Sequence, residues 1–205
     1  KNRTNKLLLS IFQQEQTVND KDSEKNSPAS SFTKSDLNSN LITLNLPVDK
    51  KLVECLYKIK ARNQKIYQFP TFGDALGSDY KLFERSELSI DSFKKQLIVI
   101  IKNSLRSDIF ISDSFFTIFR SGGGLVSHDH LNKIDRIEGL DIAKKKFSLV
   151  YYLSVGDQTC DEPGILKLEN PNQEILPSNG LIIIFPAERK HSVFYKGEKD
   201  RIIIG

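Results

Sequence analysis

From residue 108 onward the chain is a succession of short apolar runs cut by turn sequences, and this pattern constrains the fold more than any other feature. The runs are "IFIS", "FFTIFR", "LVSHDH", "FSLVYYLS", "GILKLE", "EILP", "LIIIFP", "HSVFY" and "RIIIG". Between them lie "SGGG", "VGDQ", "NPNQ", "PSNG" and "YKGEKD", rich in residues that favour turns. Short strands at this spacing cannot each build a core, so they must pair into sheets and bury one face. Preceded by helices, they predict a mainly β fold: a two-sheet sandwich or jelly roll with flanking helices packed on one sheet.

The helices are expected upstream. "LITLNLPVD" reads as a strand ended by Pro47, with Asp49 placed to cap a helix. "KKLVECLYKIKAR" sets Leu52, Val53, Leu56 and Ile59 at helical spacing. "SIDSFKKQLIVIIKNSL" does the same with Ile90, Phe93, Leu97, Ile100 and Ile101, and has Ser89 or Asp91 near its start. "PTFGDALGSDYKLFE" between them reads as a loop.

Residues 1–40 have a different texture. "NKLLLSIFQQ" suggests one or two helical turns, and the polar stretch after it buries too little apolar surface to offset its ordering entropy. They are expected to be a linker and helix remnant, with residues 41–205 forming the jelly-roll domain. The start at Lys1 and the stop within "RIIIG" suggest a piece of a longer chain, with a domain upstream and a final strand missing downstream.

A net charge of +4 with no basic stripe argues against nucleic acid as partner. The longest apolar runs are too short to span a bilayer. Cys55 and Cys160 match no paired metal or redox spacing, which favours a reduced, cytoplasmic setting.

The chain has three histidines, and two of them, His128 and His130, fall one residue apart in "LVSHDH". On a strand, residues i and i+2 share a face, so both imidazoles would project together while Asp129 turns away. Such a pair chelates a transition metal, and imidazole suits Fe, Zn, Cu and Ni. The third, His191, comes after a buried strand and a loop able to return it beside the first two. Arg201 lies ten residues later, and Tyr152 in "SLVYYLS" can face the same interior, with Tyr151 its competitor if the strand phase is shifted.

At these residues the chain resembles the Fe(II)- and 2-oxoglutarate-dependent oxygenases of the prolyl-hydroxylase-like branch. The elements carrying the resemblance run in order from His128 through "VYYLS", "GILKLE" and "PSNGLIIIF" to His191 and Arg201. The whole set is also similar to oxygenase modules that come after tetratricopeptide repeats in some bacterial proteins, which implies an upstream repeat domain. The resemblance implies a double-stranded β-helix holding Fe(II) through His128, His130 and His191. It implies 2-oxoglutarate bound by Arg201 and Tyr152, O2 as co-substrate, ascorbate as an optional further cofactor, and hydroxylation with release of succinate and CO2. One position departs from the family pattern: His130 stands where a carboxylate is usual.

The remaining motifs are read as structural. Gly122 to Gly124 form a hairpin, Ser127 and Asp129 are rim residues, and Arg189 and Lys190 are loop surface or substrate contacts. "GDQTCDEPG" is solvated surface, and "HLNKIDRIEGLDIAKKKF" is a lid inserted after the ligands. Pocket-lining residues are expected from the loops around 64–80 and 131–146. Two other readings compete. A three-histidine cupin-type metal protein also offers H-x-H, but its glutamate is missing and Gly180 lies eleven residues before His191. A catalytically inactive oxygenase-like binding module draws its support from His130.

Overall fold

The structure is a computed structural model that describes residues 41–63 and 71–205. The expected linker and helical turns of residues 1–40, and residues 64–70 of the first pocket loop, lie outside the described residues.

Alternation of side chains along the strands builds two faces. The strands are β1 (Ile42–Asn45), β2 (Arg62–Asn63), β3 (Thr71–Phe72), β4 (Ala75–Gly77), β5 (Phe116–Phe119) and β6 (Gly123–His128). They continue with β7 (Phe147–Ser154), β8 (Leu166–Leu168), β9 (Gln173–Ile175), β10 (Leu181–Pro186), β11 (His191–Tyr195) and β12 (Arg201–Ile204). Seven pair in the order β1-β10-β7-β12-β5-β4-β2 and five in the order β3-β6-β11-β8-β9. The ladders are antiparallel and the two sheets form a jelly roll.

Because neighbours on a strand point to opposite faces, adjacent residues of the larger sheet enter two separate clusters. On its outer face Phe116, Ile118, Tyr151, Leu153, Ile182, Ile184, Ile202 and Ile204 share a cluster with helical residues Leu52, Leu56, Ile90, Phe93, Leu97 and Ile101. Phe93 stacks on Tyr151 with ring centroids 5.1 Å apart. On its inner face Ala75, Phe119, Tyr152, Ile183, Phe185 and Ile203 meet Leu166, Leu168, Val193 and Tyr195 of the smaller sheet. Full burial of one such aliphatic or aromatic side chain contributes about 1.5–3 kcal/mol.

The helices are α1 (Lys50–Lys58), α2 (Leu88–Leu105) and α3 (Ile142–Lys145). Asp49 caps α1, its carboxylate accepting from Lys51 N at 2.8 Å. This helix stops before the expected end, because Arg62 and Asn63 are drawn into a ladder with Gly77 and Leu76. Helix α2 begins one residue earlier than its sequence suggests, on Glu87, and neither Ser89 nor Asp91 caps it. Asp91 instead pairs with Lys95 one turn on, at 2.8 Å.

Two further expectations are corrected. "IFIS" forms no strand, and Phe110 within it is 90% exposed. "PTFGDALGSDYKLFE" is not simply a loop: it contains β3, β4 and a short 3-10 helix at Leu82–Glu84. Strand β4 exists because Ala75, Leu76 and Gly77 find β5 beside them; a long-range partner overrides a glycine-rich local sequence.

Candidate metal centre

The smaller sheet brings His128 and His191 together. His191 on β11 pairs directly with His128 on β6, whereas Val193 pairs with Leu125. Two residues of β6, Val126 and Ser127, therefore oppose one of β11, Ser192, which is a β-bulge. Strict alternation from Leu125 would have turned Ser127 inward. The bulge inserts one residue and aims His128 inward instead.

Both rings are fixed the same way. His128 Nδ1–H donates to Val126 O at 2.8 Å, and His191 Nδ1–H donates to Arg189 O at 3.3 Å. With Nδ1 protonated, the free lone pair of each ring sits on Nε2.

His130 arrives differently from the expected strand pair, because β6 ends at His128. Asp129 turns the chain by accepting from Leu131 N at 3.0 Å and pairs with Arg136 at 2.6 Å. His130 is then secured by its backbone, whose N–H donates to Ala187 O at 2.9 Å. Ring centroids lie 4.3 Å apart for His128 and His191, and 5.0 Å from each of these to His130. One nitrogen from each ring lies within 4.8 Å of the other two.

Electrostatics keep these imidazoles neutral. Burial, reinforced by His128 and His130, pushes His191 down to about 3. Burial, then His128 and Lys146, pushes His130 down to about 4, and burial lowers His128. A set of neutral nitrogens with converging lone pairs, one ring buried and two half-buried, has the donor chemistry of a transition-metal site. Burial alone would raise Asp129, but the bonds from Arg136 and Leu131 outweigh it and hold the carboxyl below its usual range. Asp129 is thus ionised and paired, and it is not one of the three converging ligands.

Arg201, the first residue of β12, is 1% exposed. Its guanidinium carbon lies 5.1 Å from the centroid of the Tyr152 ring. Nη1 donates to Pro163 O at 3.3 Å, Nε has no hydrogen-bond partner, and no ion pair to Arg201 occurs among the described residues. Gly164, at φ +81°, lies against it, and a Cβ there would overlap Nη1. A buried cation with an unpaired donor and no carboxylate is costly alone and suits an anionic ligand. Tyr152 belongs to this inner cluster, its hydroxyl pushed up to about 12 by burial against the opposing Arg201 charge. Tyr151 faces the helices and donates to Leu46 O at 3.2 Å.

Other residues fall where local patterns offer less guidance. Arg189, expected at the loop surface or against substrate, is buried: Nε donates to Glu169 O at 2.9 Å, and Nη2 to Gln173 Oε1 at 2.8 Å and to Pro171 O. It ties the β8–β9 turn to the loop before His191, a contact with no local sequence signal. Ser127 and Lys190 are exposed, Ser127 donating to Glu169. Cys160 donates to Asp157 O at 3.3 Å. The insert after the triad holds α3 and is pinned by Lys146 and Asp135 at 2.7 Å. Ser148 on β7, which no motif singled out, is buried with an unpartnered hydroxyl.

The jelly roll that carries these three convergent imidazoles shares its fold with prolyl-4-hydroxylases and 2OG-Fe(II) oxygenases among solved structures. A Pseudomonas putida prolyl-4-hydroxylase superposes with a TM-score of 0.57 at 17% identity, over 82% of this chain and 92% of that one. The viral collagen prolyl hydroxylase of Paramecium bursaria Chlorella virus-1, solved as a 2OG complex, gives 0.57 at 16% identity over 82% and 93%. HygX from Streptomyces hygroscopicus, solved with nickel and 2-oxoglutarate bound, gives 0.57 at 10% identity over 85% of each chain. At these identities the likeness is one of fold. Neither a protein-family model nor a curated protein matches the sequence. Among the described residues no helix is long and apolar enough to cross a membrane.

Proposed function

We propose that the protein is an Fe(II)- and 2-oxoglutarate-dependent dioxygenase that hydroxylates a substrate C–H bond. The observation that carries the reading is the convergence of His128, His130 and His191 in the fold shared with 2OG-Fe(II) oxygenases, with Arg201 buried on the facing sheet.

In this reading the three imidazoles hold iron(II) through the nitrogens that converge, and the Nδ1 bonds of His128 and His191 keep those rings aimed. Arg201 receives the distal carboxylate of 2-oxoglutarate; guanidinium meets a carboxylate with two parallel hydrogen bonds and stays charged. The Tyr152 hydroxyl is the second donor, and Gly164 leaves the room that the guanidinium occupies. Ile183, Phe185, Val193 and Ile203 keep the space between the two sheets apolar. When bound, iron with 2-oxoglutarate and O2 supplies oxidative decarboxylation to succinate and CO2, coupled to hydroxylation.

The test is anaerobic iron(II) titration and then a 2-oxoglutarate difference spectrum. A metal-to-ligand charge-transfer band supports the dioxygenase. Iron binding without that band favours a metal site of another kind, for which His130 in place of a carboxylate is the argument. Absence of iron binding overturns the reading.

A further inference from the structure

Charge does not balance inside this site once the proposed ligands are present. The His128–His130–His191 group contains no carboxylate. The adjacent one, Asp129, lies outside that group and is ion-paired with Arg136 at 2.6 Å. A divalent ion and the Arg201 guanidinium together bring three positive charges; a 2-oxoglutarate dianion offsets two, and one remains. An uncompensated buried charge is expensive and is ordinarily paired or neutralised.

The facing sheet offers a donor at the same end. Leu149, Tyr151 and Leu153 of β7 pack outward, and Val150 and Tyr152 pack inward. Alternation puts Ser148 on the inward face. Ser148 is 8% exposed, and its Oγ is buried without a hydrogen-bond partner among the described residues. Its cross-strand neighbour is Phe185, whose ring stands edge-on to His191 at 4.9 Å. Ser148 therefore belongs to the triad end of β7, while Tyr152 lies four residues on, about 13 Å along the strand. The carboxylate gripped by Arg201 and Tyr152 is therefore remote from Ser148. A buried hydroxyl left unsatisfied costs about 1–3 kcal/mol, and a ligand oxygen would relieve it.

We propose that the centre takes one anionic group beyond 2-oxoglutarate, that the primary substrate accordingly carries a carboxylate, and that the Ser148 hydroxyl donates to it. This inference rests on the dioxygenase reading, and the experiment separates the two.

Cobalt(II) is added anaerobically to the full chain, then 2-oxoglutarate, then acetate as the carboxylate probe, with the cobalt d–d spectrum as readout. The expected result is a saturable spectral change on acetate addition without displacement of 2-oxoglutarate. In His130→Asp, which restores a negative ligand, acetate added at saturating cobalt binds about tenfold more weakly. In Ser148→Ala, acetate also weakens about tenfold while cobalt and 2-oxoglutarate affinities hold. Removal of an unsatisfied hydroxyl does not unfold the protein, so a loss in that variant reports ligand contact. If cobalt or 2-oxoglutarate fails to bind, the dioxygenase reading falls and this inference with it. If both bind but acetate does not, or displaces 2-oxoglutarate, or binds either variant unchanged, this inference alone is overturned.

Discussion

His191 and His128 face each other as direct partners in the β11–β6 ladder, and each donates its Nδ1–H to the carbonyl two residues earlier in its own chain. The bulge at Val126 and Ser127 makes this symmetry possible, because it restores inward orientation to His128 after Leu125 has already faced the core.

The buried imidazoles set a pH dependence. In the folded metal-free protein His191 is held at about 3 and His130 at about 4, below the ordinary value of 6.5. Below 6.5 the unfolded chain takes up protons that the folded chain refuses, so stability is lost as pH falls from 6.5 toward those values. Melting of the metal-free protein at about pH 7.5 and about pH 4.5 should show a clear drop between the two. His191→Asn should flatten the profile, and cobalt added at the higher pH should raise the melting temperature.

Asp129 is ion-paired with Arg136 and stands outside the triad, whereas His130 is part of it. Asp129→Asn should therefore retain cobalt binding and lose at most about 1 kcal/mol of stability, as expected for a partly exposed pair. His130→Ala should weaken cobalt binding severely. Calorimetric titration of both variants checks the contrast, and a reversed order would reassign the third ligand.

Arg201 and Gly164 act as a pair. Arg201→Ala should weaken 2-oxoglutarate by roughly 10–100-fold while leaving cobalt affinity intact, the loss expected for hydrogen bonds to a charged group. Gly164→Ala should produce the same ligand defect indirectly, since its Cβ would displace the guanidinium at Nη1. The φ of +81° adds a backbone penalty of about 1–2 kcal/mol. Equilibrium unfolding and 2-oxoglutarate titration separate these two effects.

Phe93 anchors α2 on the sheet through its stack on Tyr151. Phe93→Ala should cost about 3–5 kcal/mol in denaturant unfolding. At low temperature the folded fraction should still bind cobalt, because His128 and His191 lie on the other sheet.

The strand-rich class, both long helices, the Asp49 cap and the grouping of the three histidines were legible in the linear chain. Each is written in local periodicity or in the rarity of a residue type. Other features came only from contacts between distant segments. Strand β4 needed β5 as a partner before its short, glycine-bounded segment could pair. "IFIS" has strand-forming residues but no neighbour, and it stays irregular. Choosing Tyr152 over Tyr151 for the interior required knowing which face the helices cover. The inward turn of His128 depends on a bulge defined only against β11, and His130 reaches the triad through a hydrogen bond to Ala187 across the fold. Burial of Arg189 and the unpartnered hydroxyl of Ser148 likewise arise from segments distant in sequence. Local patterns specify which elements form, but register, bulges and partnerless polar atoms are properties of contacts between elements.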